Sequence, residues 1–156
     1  MRARTGELTV LDHTWISAHI PHQGSMCLLD KVEEWTAEHI RCTATSHRDH
    51  DNPLRAHGRL ASACGIEYAA QAMAIHGALL SPEKGGPSRG GYLASVRSVE
   101  LHVARLDTFA APLSVAAERL SGSDNSILYQ FTVHAEAQLL LAGRASVILD
   151  ATALTH

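Results

Sequence analysis

The sequence predicts an α+β domain in which an antiparallel sheet is wrapped around one long central helix. Three observations predict it: an alanine-rich apolar stretch from Leu60 to Leu80, two strand-like segments before it and four after it. The length of 156 residues and the hydrophobic content of 46% suit one domain with a single core, so we expect a single domain over residues 1–156.

The stretch from Leu60 to Leu80 is apolar around its whole circumference and rich in alanine, the best helix former. We therefore expect a buried helix, thin enough for strands to lie close against it. Three clearly polar side chains interrupt it, those of Glu67, Gln71 and His76. Gln71 lies one helical turn after Glu67 on the same face, where it can hold the carboxylate or a substrate amide.

Glu67 is the candidate catalytic residue of this helix. A lone ionised carboxylate in apolar surroundings is costly unless it is paired or protonated, so we expect burial to raise the pKa of Glu67. A raised pKa suits a general acid at neutral pH. The alternative is a structural role, in which Glu67 caps a loop or pairs with a buried arginine.

The rest of the chain reads mainly as strands. A short helix near Val10 to Ala18 precedes two strands joined by a turn near Ala37, and period-two alternation is clearest in the second of them. The two strands are Met26 to Thr36 and Glu38 to His47, and the four later ones are Tyr92 to Ala104, Leu113 to Leu120, Ile127 to Glu136 and Leu139 to Leu149. A sheet of this kind leaves an open edge, which two subunits can pair, so we expect a dimer.

Composition excludes several classes of function. The net charge is −3, with 13 basic and 16 acidic residues and no run of Lys or Arg, so a nucleic-acid footprint is not supported. No apolar run is long enough for a signal peptide or a membrane span, and three widely spaced cysteines indicate reduced thiols, so we expect a cytoplasmic protein. His47, His50 and His57 match no zinc motif, and we interpret them as part of a solvated loop, with no metal site.

Three separated segments resemble the 3-hydroxyacyl-ACP dehydratases of the hotdog fold, and more closely the dehydratase-like proteins of aryl-polyene biosynthesis clusters. Ile20 to Val32, IPHQGSMCLLDKV, fits the family pattern L-P-H-R-x-P-F-L-L-V-D-R-V without gaps. Gly65 to Gln71, GIEYAAQ, resembles the helix signature E-A-x-A-Q, with Glu67 in place. Tyr92 to Leu101, YLASVRSVEL, is similar to F-L-A-x-I-x-x-V-R-F.

The resemblance implies a hotdog fold and the loss of water from a 3-hydroxyacyl chain carried on acyl carrier protein. It implies that Glu67 protonates the leaving hydroxyl, that a histidine removes the proton beside the carbonyl, and that backbone N–H groups at the helix start stabilise the enolate oxygen. We expect substrate contacts at Ser62, Ala63 and Gln71, with small side chains leaving room for the acyl chain. No cofactor is implied beyond the phosphopantetheine arm of the carrier protein. The family gives the histidine at His22 no catalytic part, which implies a structural role for it.

The catalytic histidine does not carry over. The family pattern G-H-F-P-G-x-P-x-x-P-G-x-x-x-x-E, counted back from Glu67, places Pro53 where the histidine should be. His50 and His57 flank that position, and His50 is favoured because HDNPL resembles the opening of the motif. Since family sites combine a histidine and an acid from two protomers, the chain is expected to act either as a homodimer using one of these histidines or as a heterodimer with a second dehydratase-like subunit.

Two other functions compete with the dehydratase. In a hotdog thioesterase, Glu67 would activate water against the thioester. In a catalytically silent subunit, the chain would only bind an acyl chain or stabilise a partner. The lack of the loop histidine favours the silent subunit, and Glu67 opposes it.

Overall fold

The structure, a computed structural model, describes residues 11–22, 24–80, 92–123 and 125–148. Within these ranges it contains two α-helices and six strands. The helices are α1 (His13–His19) and α2 (Gly65–Leu80), and the strands are β1 (Lys31–Trp35), β2 (His39–Ala44), β3 (Tyr92–Leu101), β4 (Leu113–Gly122), β5 (Ser126–Ala135) and β6 (Gln138–Ile148). Short 3₁₀ turns occupy Gly24–Met26, Ser46–Arg48 and Ser62–Cys64.

The six strands form one antiparallel sheet in the order β1-β2-β4-β5-β6-β3. Helix α2 packs on one face of this sheet, against β2, β4 and β5. The predicted α+β class and the order of two strands, one long helix and four strands are therefore confirmed.

Alternating burial explains why these segments form strands. In β2 the side chains of Ile40, Cys42 and Ala44 are buried, and the residues between them are half-buried. The same two-residue period runs through β4 and β5, so one face of the sheet packs on the helix while the other faces outward. Tyr129 and Phe131 of β5 supply the largest side chains on the packed face.

Helix α2 begins at Gly65, later than the predicted start at Leu60. The backbone of the preceding residues bonds to the connection between β3 and β4: Leu106 N–H donates to the carbonyl of Leu60 at 2.8 Å, and Ser62 N–H donates to that of Ala104 at 3.0 Å. These partners hold the chain extended until the 3₁₀ turn, and the helix can start only after it. A side chain at Gly65 would lie 2.7 Å from Leu141, so the helix start rests closely on β6.

Other predicted boundaries also shift. Strand β2 ends at Ala44 and not at His47, because Ser46–Arg48 forms a 3₁₀ turn, and β3 ends at Leu101 and not at Ala104. Helix α1 begins at His13, where the side chain of Asp12 accepts the N–H of Trp15 at 3.0 Å as an N-cap; the predicted start at Val10 lies outside the described residues. Strand β1 begins at Lys31 and not at Met26, because the backbone of Met26 and Leu28 is bound by a helix side chain and not by a neighbouring strand.

The two edges of the sheet differ. On the outer side of β1, Val32 N–H donates to the carbonyl of Leu11 at 2.9 Å, so the segment before α1 covers that edge. Strand β3 forms the other edge. Leu93 and Leu101 of β3 are 40% and 49% exposed, and the strand carries two register shifts.

The cysteines are free. Cys27 and Cys42 are buried core residues, as predicted, while Cys64 is only half-buried. Burial raises the pKa of the Cys42 thiol to about 12, which makes it inert at neutral pH. In the described part of the chain, neither helix is long and apolar enough to cross a membrane.

Candidate active site

The carboxylate of Glu67 lies in the first turn of α2, on the part of the helix that the sheet does not cover. Its side chain is 32% exposed. Ala63 is exposed and Ala70 is half-buried, so small side chains flank the carboxylate one turn before and one turn after it. The helix was predicted to be buried all round, but its start has an open stripe. The stripe is defined by Ala63 of the preceding 3₁₀ turn and by Ile66, Glu67 and Ala70 of α2.

Gln71 fixes the segment that faces Glu67. Its amide oxygen accepts the N–H of Leu28 at 2.9 Å, and its amide nitrogen donates to the carbonyl of Met26 at 2.7 Å. The same nitrogen lies 3.4 Å from Oε2 of Glu67. Gln71 is fully buried, so these contacts hold the segment between α1 and β1 firmly on α2. The expected contact between Gln71 and the carboxylate is present, but the two shorter hydrogen bonds of the Gln71 amide go to the backbone of Leu28 and Met26.

His22 contacts the carboxylate directly. Its Nε2 lies 3.0 Å from Oε2 of Glu67, and the His22 side chain is 25% exposed. The sequence resemblance assigned His22 a structural role and did not place it beside Glu67. The position of His22 follows from the buried Ile20 on one side and from the amide of Gln71 at Met26 on the other.

The pKa of Glu67 is lowered, and the expectation of a raised pKa was wrong. The hydrogen bond from His22 is the largest cause; burial acts in the opposite direction, and the contact with Gln71 adds to the lowering. Because a donor stands against the carboxylate, the ionised form is favoured despite partial burial. In the isolated chain Glu67 is therefore a carboxylate at neutral pH.

A second set of polar groups supports the segment from behind. The hydroxyl of Ser46 donates to the carbonyl of Leu28 at 2.8 Å and lies 2.8 Å from the hydroxyl of Tyr68. The amide nitrogen of Asn52 donates to that same tyrosine oxygen at 3.0 Å and to the carbonyl of Ser46 at 2.8 Å. Since Ser46 uses its proton on Leu28, the proton of Tyr68 points to Ser46, and every group has a partner.

The loop between β2 and α2 is anchored by a buried charge. Asp107 is 6% exposed at its side chain and accepts the N–H of Leu60 at 3.0 Å and two bonds from Arg105 at 3.1 and 2.6 Å. Arg55 lies 3.6 Å from the same carboxylate and donates to three loop carbonyls. The contact with Arg105 holds the pKa of Asp107 well below its usual range. These bonds fix the path of the chain into α2.

The loop histidines have different surroundings. His47 is fully buried, with Nε2 2.9 Å from the carbonyl of Phe109, so its interpretation as a solvated residue was wrong. His50 and His57 are exposed. Among the described residues, the polar contacts of Glu67 go to His22 and Gln71 and not to these two histidines.

His57 sits at the tip of a tight turn. The backbones of Ala56 and Arg59 exchange two hydrogen bonds of 2.9 and 3.0 Å, and His57 and Gly58 have φ values of 54° and 75°. Arg55 donates to the carbonyl of Gly58 at 2.9 Å and stiffens the turn. His57 therefore lies in an exposed turn that is fixed by hydrogen bonds, and its role stays a prediction.

The backbone donors at the start of α2 are largely in use. Ser62 is buried, and its N–H donates to Ala104. The N–H of Cys64 donates to Ala61 at 3.0 Å, and that of Gly65 turns back to Ser62 and Ala63. These three N–H groups are therefore not free for an enolate oxygen. Ala63 is exposed on the open stripe, and its contact with substrate stays a prediction.

Metal ligands do not cluster in the described ranges, where no group of three or more His, Cys, Asp or Glu side chains is placed to hold an ion. The site there consists of one carboxylate, one imidazole and one amide beside small apolar side chains. This set can exchange protons with a bound ligand and orient it.

Comparison with known families decides the family of the chain. The model of the ApeP-like family, described as ApeP dehydratase, matches residues 14–155. The chain belongs to the ApeP-like dehydratase family. The comparison with curated proteins gave no match to this sequence.

Solved structures share the fold of this chain. The dehydratase heterocomplex ApeI:P from Xenorhabdus doucetiae matches with a TM-score of 0.76 at 22% identity, over 90% of this chain and 94% of that one. Zebrafish thioesterase superfamily member 2 matches with a TM-score of 0.63 at 13% identity, over 88% and 93% of the two chains. A thioesterase of Haemophilus influenzae matches with a TM-score of 0.55 at 13% identity, over 76% of each chain. The predicted hotdog fold is therefore confirmed.

The contact between His22 and Glu67 could not be read from the family motifs. The sequence does contain one indication of this contact. A Gln one turn after a Glu on a buried helix needs buried hydrogen-bond partners, and the I-P-H segment was a motif to which no contact with the helix had been assigned. Its pairing with the helix would have brought His22 to the carboxylate.

Proposed function

We propose that the chain is a dehydratase subunit that eliminates water from a 3-hydroxyacyl thioester carried on acyl carrier protein. Membership of the ApeP-like dehydratase family supports the reaction. The observation that carries the proposal is the partly exposed carboxylate of Glu67 on the open stripe of α2, held by His22 and Gln71 and flanked by small side chains. The acyl chain lies along this stripe, against Ala63 and Ala70, and Glu67 faces the leaving hydroxyl.

Elimination also needs a base for the proton beside the carbonyl. Pro53 occupies the place of the family histidine and is exposed, and His50 and His57 make no polar contact with Glu67 in the described chain. The base therefore comes from a second dehydratase-like subunit. The ApeI:P structure is by its name a heterocomplex, which supports such an assembly for this chain, and aryl-polyene synthesis is the expected setting.

The edge strand β3 is the surface for that partner. Its outer edge has no strand beside it within the described ranges, and Leu93 and Leu101 are exposed there. An exposed apolar edge is an aggregation hazard unless another chain covers it. Pairing of β3 with the edge of a second hotdog subunit removes this hazard and joins the two sheets.

Acid–base elimination uses no redox or electrophilic group, so the proposal includes no resident cofactor; the phosphopantetheine arm arrives with the substrate. We place the reaction in the cytoplasm, together with acyl carrier protein.

A homodimer is the alternative assembly. In a homodimer, His50 or His57 of one protomer is the base that acts together with Glu67 of the other. The stiff, exposed turn at His57 favours this histidine over His50 for reaching across an interface.

A thioesterase is the alternative reaction, and one observation favours it. Glu67 is ionised in the isolated chain, as a general base on water must be. Hotdog thioesterases are also among the structural neighbours, although such likeness carries only the fold.

The test is mass spectrometry of a 3-hydroxyacyl-acyl carrier protein incubated with the purified chain alone and with a co-expressed dehydratase-like partner. We expect loss of water only when the partner is present. Loss of water with the chain alone would contradict the heterodimer and support the homodimer, in which case His50→Gln and His57→Gln identify the base. Release of free acid without any dehydrated product would contradict the dehydratase and support the thioesterase.

A further inference from the structure

We propose that His22 holds the proton that Glu67 delivers, so that the acid of the site is a His22–Glu67 pair and not a lone carboxylate. The inference deepens the proposed dehydratase function and rests on it. His22 acts through Glu67 and is therefore a positioning residue that also stores a proton.

The geometry of the pair carries the inference. Nε2 of His22 lies 3.0 Å from Oε2 of Glu67, a length typical of a hydrogen bond. The other ring nitrogen, Nδ1, is buried and has no hydrogen-bond partner among the described residues. The polar contact of the imidazole therefore goes entirely to the carboxylate.

The segment that carries His22 is fixed on both sides. Before it, Ile20 is fully buried, and its N–H donates to Ile16 at 3.1 Å at the end of α1. After it, Met26 and Leu28 are bound by the amide of Gln71. Because both flanks are tied to the core, the imidazole is held against Glu67 without a large entropic cost on each turnover.

The charge of the site explains why a proton store is needed. Glu67 is ionised at rest, because its pKa is lowered chiefly by the hydrogen bond from His22, and a carboxylate cannot donate a proton. The titratable side chain that faces it is His22, from the connection between α1 and β1; on its own helix the contacting side chain is Gln71, which is neutral. The proton for the leaving group must then come through His22.

His22 takes part in the step as the imidazolium, with a proton on each ring nitrogen. The proton on Nε2 moves to the carboxylate of Glu67, which passes it to the hydroxyl on the third carbon of the acyl chain, and the ring is left neutral with its remaining proton on Nδ1. The carbon–oxygen bond breaks, water leaves, and the proton beside the carbonyl goes to the base of the partner subunit as the double bond forms. The pair then lacks one proton and the base holds one more, and exchange with solvent restores both.

A purely structural His22 would also contact Glu67, and two substitutions separate the roles. His22→Gln keeps an N–H donor near the carboxylate but cannot hold a transferable proton. His22→Phe keeps the bulk of a ring and removes the donor. The chain also offers a matched control, because Nε2 of His102 lies 3.5 Å from the carboxylate of Glu100 on exposed β3; His102→Gln changes a pair of the same type away from the open stripe.

The experiment has two readouts. Carbon NMR of the free chain, labelled at its glutamate carboxyl carbons, follows the titration of Glu67, with the signal assigned by Glu67→Gln. The second readout is the pH profile of kcat/KM for dehydration of a 3-hydroxyacyl-acyl carrier protein by the assembled dehydratase.

We expect His22→Phe to raise the titration midpoint of Glu67 and His102→Gln to leave it unchanged. We expect His22→Gln to move the alkaline limb of the rate profile to lower pH, because the carboxyl group of Glu67 alone must then hold the proton. At pH values above the alkaline limbs of both proteins, the rate of His22→Gln is then lower than that of the unmodified chain, roughly tenfold for each pH unit by which the limb has moved.

Two results would contradict the proposal that His22 holds the proton. One is a titration midpoint of Glu67 that His22→Phe does not change. The other is a pH profile of kcat/KM for His22→Gln that superimposes on the profile of the unmodified chain. Failure of the dehydratase function itself shows differently, as full activity of Glu67→Gln. The NMR titration needs no turnover, so it decides whether the pair exists in either case.

Discussion

The amide oxygen of Gln71 accepts the N–H of Leu28 at 2.9 Å, although the two residues are 43 positions apart in the sequence. This bond, together with the bond from the Gln71 amide nitrogen to the carbonyl of Met26, joins the motif that contains His22 to the helix that contains Glu67. The candidate site depends on these bonds, since the imidazole and the carboxylate come from separate parts of the chain.

Replacing Gln71 by Leu should therefore destabilise the protein and loosen the site. The change leaves the buried N–H of Leu28 and the half-buried carbonyl of Met26 without their partner, which costs about 1–3 kcal/mol. Urea unfolding measures the loss, and Gln130→Leu, at an exposed glutamine of β5, is the control. Equal stability of the two variants would show that the amide does not fix the segment.

Asp107→Asn should destabilise the chain in a pH-dependent way. The native pKa of Asp107 is lowered by Arg105, so its contribution to stability is present above the ordinary aspartate pKa of about 4 and is lost as the pH falls towards the native value. We expect a loss of about 1–3 kcal/mol at neutral pH, typical of hydrogen bonds to a charged group, that shrinks below about pH 4.

Urea unfolding of Asp107→Asn and the unmodified chain between pH 3 and 7 checks this sign. Asp51→Asn, at an exposed aspartate in the same part of the chain, is the control. A difference that grows on acidification would contradict the assignment.

Gly143→Ala should overpack the core of the sheet. A Cβ at Gly143 would lie 2.8 Å from the ring of Phe131, its cross-strand partner on β5, and 3.1 Å from Val99. Phe131 is fully buried and cannot move freely, so we expect a loss of about 1–3 kcal/mol in the free energy of unfolding.

The matched control for this change is Gly122→Ala, where the new Cβ would meet the end of the flexible Arg119 side chain, which can swing away. Thermal unfolding of both variants makes the comparison. A milder effect at Gly143 than at Gly122 would mean that the ring of Phe131 does not pack on the glycine.

Local pattern was enough to predict the architecture. The alternation in Glu38 to His47 and the alanine-rich run around Glu67 are properties of neighbouring residues. Such local patterns are enough to predict a strand with one buried face and a buried helix. The family motifs then supplied the fold by resemblance, and the family match agrees.

What could not be predicted depends on contacts between distant residues. The start of β1 is set by Gln71, and the burial of His47 is set by the carbonyl of Phe109, 62 positions away. The lowered pKa of Glu67 has the same origin, because sequence shows the apolar helix around a carboxylate but not the imidazole brought to it from another segment.

The most direct measurement for the account is dehydration of a 3-hydroxyacyl-acyl carrier protein by Glu67→Gln, assembled with its dehydratase-like partner. The nearly isosteric amide keeps the fold but cannot deliver a proton, so we expect the rate to fall by about 10²–10⁴-fold, the usual contribution of a general acid. Glu118→Gln, at an exposed glutamate of β4, should retain full activity. Unchanged turnover by Glu67→Gln in the assembled dehydratase would contradict the central claim that this carboxylate is the acid of the site.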